Sequence, residues 1–227
     1  MVDENVNYPG GKGTLPRTLE VQNAEGERRF SPSVSRNRGV LREAFVDNVC
    51  GPVSVLEIGS GTGEHGVFLT EERADIHWTF SDHNEEALSG IAAWMEHAGR
   101  DTLHGPYLLD ASAEHWGPEI EGQTFDIIFS ANVVHISPVS VLAGIFAAGE
   151  RILTTTGRLV FYGPFARNGV MVDSNKNFDA DLKRRDAGWG VRDLDTELIP
   201  LASKAGLKLT LTAAMPKNNY FLIFSRA

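Results

Sequence analysis

The sequence predicts an α/β fold: a seven-stranded, mostly parallel sheet with an antiparallel last strand and helices on both faces. Three observations predict it. Five short apolar runs between Val53 and Tyr162 alternate with helix-patterned segments, the pattern of parallel strands joined by crossover helices. The first of these strands runs straight into a glycine-rich turn, Gly59-Ser60-Gly61-Thr62-Gly63. The last two apolar runs, Leu207 to Ala213 and Tyr220 to Ser225, are separated only by residues 214–219. That gap cannot hold a helix, so the two strands form a hairpin and the final one is reversed.

The elements follow in order. Residues 1–29 are rich in Gly, Asn, Glu and Arg without apolar periodicity, and read as a flexible N-terminal arm. Ser31-Pro32-Ser33 starts a helix whose apolar positions, Val34, Val40, Leu41, Ala44, Phe45 and Val49, recur at helical spacing up to Cys50-Gly51-Pro52. Arg36, Asn37 and Arg38 near its start are either solvated positions or part of a cap over a ligand. Val53 to Ile58 is the first strand, with a helix over Glu64 to Arg73 and a second strand from Ile76 to Phe80. Asn84 caps a helix that ends at Gly99. Pro106 to Leu109 is the third strand, closing at Asp110, and Phe125 to Ser130 is the fourth, a continuous apolar run suited to a sheet covered on both faces. A helix over Ser140 to Leu153 leads to the fifth strand, Arg158 to Tyr162. Alternation then breaks. Residues at about 164–192 form a polar insertion too long for an ordinary connection, the kind that serves as a lid or substrate element. Asp193 caps a last helix, closing at Gly206 before the terminal hairpin.

Composition bounds the function. With 227 residues, 42% hydrophobic and 22% charged, residues 30–227 suffice for one domain with a sizeable core. The net charge of −9 opposes extended contact with phosphate backbones, so no nucleic acid is expected as a partner. No apolar run approaches the roughly 18 residues of a membrane span, and no basic-then-apolar leader opens the chain, so a cytoplasmic protein with no membrane contact is expected. One cysteine, Cys50, leaves no internal disulfide and no multi-cysteine zinc site. The histidines and acids show no metal-ligand spacing, so no metal is expected. Composition is silent on oligomeric state.

The turn after the first strand points to a ligand with an adenosine moiety, because glycines let it approach the backbone closely. The dinucleotide spacing G-x-G-x-x-G is not met, since counting from Gly59 its last position is Glu64. Instead the turn reads Glu57-x-Gly59-x-Gly61-x-Gly63. Asp82 follows Gly59 by about 20 positions, where an acid ending the second strand can accept from ribose hydroxyls. Turn, acids and reversed last strand together resemble the class I S-adenosylmethionine-dependent methyltransferases, whose fold is Rossmann-like. The segments Ser31-Pro32-Ser33-x-x-Arg36-Asn37, Glu57 to His65, His135-Ile136-Ser137-Pro138, Tyr162-Gly163-Pro164-Phe165, Asn177-Phe178-Asp179, Trp189-Gly190 and Met215-Pro216 with Asn218-Asn219 resemble, within that class, the methyltransferase-like protein 26 group, a former domain of unknown function.

The resemblance implies S-adenosylmethionine as cofactor and gives its residues roles. Glu57, Gly59 and Gly61 would approach the methionine end, Asp82 the ribose, and Asp110 with Ala111 the adenine. Asn132, ending the fourth strand, would lie near the amino acid part or the methyl group, and Arg36 could pair with the cofactor carboxylate. The alternative for Asp110 is a cap for the segment after it. His135, three positions beyond Asn132, is the candidate base for a hydroxyl, thiol or amine. Its alternative is a histidine that only ties its loop to neighbours. Tyr162 is a further catalytic candidate; Asn175, Trp189 and Arg192 are substrate-pocket candidates, although such side chains also pack insertions onto cores. The expected activity is methyl transfer to an O, N or S nucleophile of a small molecule, less so of a protein side chain. The alternatives are a non-catalytic S-adenosylmethionine-binding regulator or scaffold and, lower, a nicotinamide-dependent oxidoreductase. The stretch Asn132-Val133-Val134-His135 lacks the Pro-Pro-aromatic sequence of enzymes that methylate planar amides and base amines.

Overall fold

A computed structural model describes residues 24–227. Residues 1–23 of the expected arm lie outside that range. The described chain opens on a small antiparallel hairpin, β1 (Ala24–Glu25) and β2 (Arg28–Arg29). It is tied to the body where the Trp94 indole donates to the Arg29 carbonyl at 2.8 Å. Helix α1 (Pro32–Asn48) follows, with Pro at its first position, where the missing N–H costs no intrahelical bond.

The sheet then builds by alternation. β3 (Val53–Ile58), α2 (Glu64–Leu69), β4 (Ile76–Asp82), α3 (Glu85–Ala98) and β5 (Leu103–Leu108) make its first half. α4 (Pro118–Glu121), β6 (Phe125–Ala131), α5 (Val139–Ile152) and β7 (Leu153–Gly163) continue it. After α6 (Asp173–Arg185), a wide turn over Leu194–Leu198 and α7 (Ile199–Lys204), the chain ends in β8 (Leu207–Met215) and β9 (Asn219–Arg226). The strand order is β5-β4-β3-β6-β7-β9-β8. β9 runs antiparallel to both neighbours and the other six strands are parallel, as the hairpin argument predicted.

Several boundaries differ from the sequence reading for local reasons. α2 stops at Leu69, because the Thr70 hydroxyl folds back onto the Gly66 carbonyl at 2.7 Å and turns take over. The third parallel strand begins at Leu103, before Pro106. A proline is tolerated there because β5 is an edge strand with one side unpaired. Asp193 does cap its helix, accepting from the amides of Asp195 and Thr196, but the first turn is widened ahead of Pro200, which has no amide to offer.

Side-chain alternation along the strands divides the core in two. Leu56, Ile58, Ile128, Leu159, Phe161 and Phe224 pack under α5 and α7, with Phe146 of α5 against Phe161 and Phe224. Val55, Trp78, Phe80, Ile127, Phe129 and Phe221 pack under α1, α2 and α3, with Phe45 of α1 against Trp78 and Phe129. Burying both faces at roughly 25 cal/mol per Å² of apolar area is the main term holding the sheet. It also leaves the carboxyl ends of the parallel strands as the open edge of the fold. The chain leaves β3 toward β4 on one side and has β6 on the other, which makes the end of β3 the switch point where α/β sheets bind ligands.

Candidate functional site

The turn after β3 is built by glycine backbone. Gly59, Gly61 and Gly63 have φ of 71°, 61° and 85°, in the left-handed region that costs other residues about 1–2 kcal/mol. Gly59 also has a steric reason: a Cβ there would meet Val133 Cγ2 at 2.6 Å, so the loop after β6 closes on the turn only because no side chain intervenes. The Ser60 amide donates to the Ser81 carbonyl at 2.8 Å and the Gly61 amide to Asp82 Oδ2 at 2.8 Å. The turn is thereby fastened to the end of β4.

Asp82 is buried. Its Oδ1 accepts the Asn84 amide at 2.9 Å and lies 3.4 Å from His83 Nδ1. Each carboxylate oxygen has two acceptor sites, so Asp82 retains capacity for an outside hydroxyl. Asp110, one strand over, is exposed; its Oδ1 accepts from both the amide and the hydroxyl of Ser112, which hold its carboxyl below the usual range. The capping alternative for Asp110 is therefore realised as a turn, and it does not consume the second oxygen. Ala111 is buried beneath α5, where a Cβ at Gly144 would stand 1.9 Å from the Ala111 carbonyl oxygen. His83 is raised in pKa by its bond to Asp82, with Asp110 adding to the effect.

Glu57 sits differently from the methionine-end role. Strand parity turns it to the α1–α3 face, where the Trp78 indole donates to Oε2 at 3.0 Å. Burial pushes its pKa up to about 7, against the lowering hydrogen bonds from Trp78 and Ser60. Its carboxyl also bonds Ser60 of the glycine turn, and its carbonyl accepts the Ser81 hydroxyl at 2.6 Å. Arg36 is exposed on α1. Neighbouring Asn37 accepts through Oδ1 from His65 Nε2 at 2.9 Å, and the Ser31 amide donates to Glu64 Oε2 at 2.6 Å. These bonds seat the start of α1 on the first turn of α2, beside the glycine loop. Burial holds His65 down at about 4, so it is neutral there.

At the ends of β6 and β7 a second group of predicted residues converges. Asn132 has φ of 60° and its amide donates to the Tyr162 carbonyl at 2.8 Å. A Cβ on Gly163 would lie 3.3 Å from Asn132 Oδ1 and 3.5 Å from His135 Nδ1, so these two polar atoms face the same bare backbone. His135 is buried, edge-on to Phe178 at 5.4 Å between centroids. Its Nδ1 has no hydrogen-bond partner. Desolvation, with a smaller contribution from Arg192, brings its pKa to about 3. Tyr162 is also buried, and its hydroxyl accepts from Asn219 Nδ2 at 3.1 Å.

The insertion residues divide. Trp189 is half-buried at the end of the segment after α6. Asn175 donates to the Asn218 carbonyl at 3.1 Å, and Asn218 reaches Ser174 Oγ; together they bolt α6 to the β8–β9 turn. The Arg192 guanidinium is committed to main-chain carbonyls of Val134, Ser137 and Gly188 and is not directed at a pocket. Phe178, Glu64 and Asn219 escaped sequence reasoning as site residues. All three stand in the motif segments or beside them, but nothing in periodicity says that Phe178 meets His135. Among the described residues, no three His, Cys, Asp or Glu side chains cluster to hold a metal ion, and no helix is long and apolar enough to cross a membrane.

Comparison with solved structures gives the fold a family context. The chain superposes on CalO1, a methyltransferase of calicheamicin biosynthesis in its SAH-bound form, with TM-score 0.68 and 16% identity, covering 86% of this chain and 54% of that one. An O-methyltransferase family 2 protein from Planctomyces limnophilus in complex with apigenin gives 0.70 and 17%, covering 86% and 60%. The mitomycin 7-O-methyltransferase MmcR gives 0.69 and 16%, covering 87% and 55%. The chain thus spans a little over half the length of these proteins and has their Rossmann-like methyltransferase fold. A family model described as a protein of unknown function, DUF938, matches residues 28–226, and the chain belongs to that family.

Proposed function

We propose that the protein is an S-adenosylmethionine-dependent methyltransferase acting on an oxygen, nitrogen or sulfur nucleophile of a small molecule. The observation that carries the reading is the placement of three features on adjacent strand ends at the switch point: the glycine turn after β3, Asp82 ending β4, and Asp110 after β5. The solved methyltransferases of the same fold, including one with SAH and one with apigenin, support cofactor type and substrate class, as does the motif likeness to the methyltransferase-like protein 26 group.

The residues present fit the cofactor. Gly59 and Gly61 hold the turn in the left-handed backbone conformation that other residues rarely adopt, and so shape its path at the end of β3. Asp82 keeps acceptor capacity for ribose hydroxyls, and Asp110 Oδ2 with the Ala111 backbone can meet adenine edges. Arg36, exposed at the start of α1, would pair with the cofactor carboxylate. The cofactor supplies an electrophilic methyl on a sulfonium, so alignment and desolvation are the chief demands on the protein. The insertion over residues 164–192, with α6 and Trp189, then forms the acceptor side and excludes water.

His135 is the proposed proton acceptor, through Nδ1. A histidine held near pKa 3 is neutral at physiological pH and is a weak base toward a free alcohol. A hydroxyl that has already gained a methyl is a strong acid, so a neutral imidazole suffices to take its proton late. Tyr162 would act by orientation, because burial raises its pKa. The test is incubation of the protein and labelled S-adenosylmethionine with fractionated small-molecule extract. Labelled product formed by wild type and lost by at least tenfold in His135→Ala supports the reading. Tight cofactor binding with no labelled product in any fraction would instead make the protein a non-catalytic binder.

A further inference from the structure

Arg192 is nine-tenths buried, yet it meets no carboxylate closely. Its Nε donates to the Val134 carbonyl at 3.0 Å, and its Nη2 to the Ser137 carbonyl at 2.5 Å and the Gly188 carbonyl at 2.7 Å. Glu197 Oε1 is 3.8 Å from Nη1. Val134 and Ser137 bracket His135 in sequence, and the His135 carbonyl itself accepts the Gly190 amide at 2.9 Å. The main chain on both sides of the imidazole is therefore pinned by one short segment, 188–192. That segment is anchored in turn: the Val191 amide donates to Asp179 Oδ1 at 2.8 Å, and Lys183 holds the other oxygen of Asp179 at 2.7 Å. Asp179 adjoins Phe178, the ring against His135. A buried guanidinium is costly unless its donors are satisfied, and here they are spent on the loop that carries His135.

We propose that Arg192 is a positioning residue for methyl transfer: its guanidinium locks the loop so that His135 Nδ1 faces the space beside Gly163. This rests on the reading of the site as a methyltransferase. A lysine cannot replace the planar fork that reaches three carbonyls at once. The charged or titratable groups around His135 are Arg192 and, behind it, Glu197; Asp179 and Lys183 on α6; and Tyr162 on β7. Asp179 and Lys183 pair with one another, and of the remaining charges Arg192, with Glu197 at 3.8 Å behind it, is the one that acts on the imidazole. It opposes protonation of His135, so its removal raises the pH at which His135 titrates.

The experiment compares wild type, Arg192→Met and Arg192→Lys by three readouts: cofactor affinity, kcat against pH, and the titration of His135 followed by NMR of histidine-labelled protein. Arg192→Met is expected to bind cofactor within about threefold of wild type while kcat falls at least 30-fold. The acid limb of its pH profile and the His135 titration should both move to higher pH. Arg192→Lys should restore the titration more than the turnover, because it returns the charge without the fork. If Arg192→Met does not fold, the same opposition between titration and turnover in Arg192→Lys decides the matter. A His135 titration unmoved in Arg192→Met, or a loss confined to cofactor affinity, would overturn the assignment. Absence of turnover in wild type defeats the enzyme reading, while the NMR titration still judges Arg192 on its own.

Discussion

Gly59 shows how much one missing side chain decides. Its φ of 71° and the 2.6 Å approach of Val133 to a would-be Cβ are separate penalties. Gly59→Ala should destabilise by about 2–4 kcal/mol, combining left-handed strain with local overpacking. Adding Val133→Ala should recover only the steric part, as denaturant unfolding of both single variants and the double variant would show. Full recovery would mean that the backbone there carries no strain. Glu57 gives a pH-dependent counterpart. Its carboxyl titrates near 7 in the fold against 4.5 ordinarily, so the folded state binds the proton more tightly than the unfolded. Stability is then lost as pH rises from about 4.5 through 7 and does not return above it. Glu57→Gln, which keeps an oxygen for Trp78, should gain on wild type by on the order of 2 kcal/mol between pH 5 and pH 8. Urea midpoints at the two pH values check this, and equal differences at both would refute it. The sequence showed Gly59, Asp82 and His135 as residue types in the right order. It could not show that Glu57 turns toward Trp78 or that Arg192 is spent on carbonyls, because those depend on which face and which loop meet in space.

At the level of elements, most boundaries were written in local chemistry: Pro32 opening α1, Asn84 and Gly99 bounding α3, Asp193 capping the last helical segment. Where the reading shifted, as at Thr70 or Pro106, the cause was a side chain or an edge position that periodicity does not encode. α6 within the insertion was not legible as a helix, because its few buried positions, Asn175, Asp179 and Leu182, are mostly polar and give no apolar stripe. α5 makes its own test. The carbonyl of Ala111 fits against Gly144 with no room for a methyl, so Gly144→Ala should push the segment after β5 away from the helix. We expect a loss of about 1–3 kcal/mol in stability and at least fivefold weaker cofactor binding, read by thermal unfolding and calorimetry. A variant that loses stability but binds as wild type would separate Ala111 from the adenine site.

For the whole molecule, the order β5-β4-β3-β6-β7-β9-β8 brings residues far apart in sequence to one edge. Alternating strands and helices made that order readable in outline, and the short gap before the last strand fixed its reversal. Two-sided burial then forces ligand chemistry to the carboxyl ends of the strands, since the faces are filled by α1 to α3 on one side and α5 with α7 on the other. The glycine turn and Asp82 lie on one half of that edge; Asn132, His135 and Gly163 lie on the other. The central claim is that the first half is an S-adenosylmethionine site. The most direct measurement is calorimetric titration of wild type and Asp82→Ala with S-adenosylmethionine and with its demethylated product. Binding to wild type at micromolar affinity or better, weakened at least tenfold by Asp82→Ala in a variant that remains folded, is the predicted result. Absence of heat with either compound, or affinity untouched by Asp82→Ala, would contradict it.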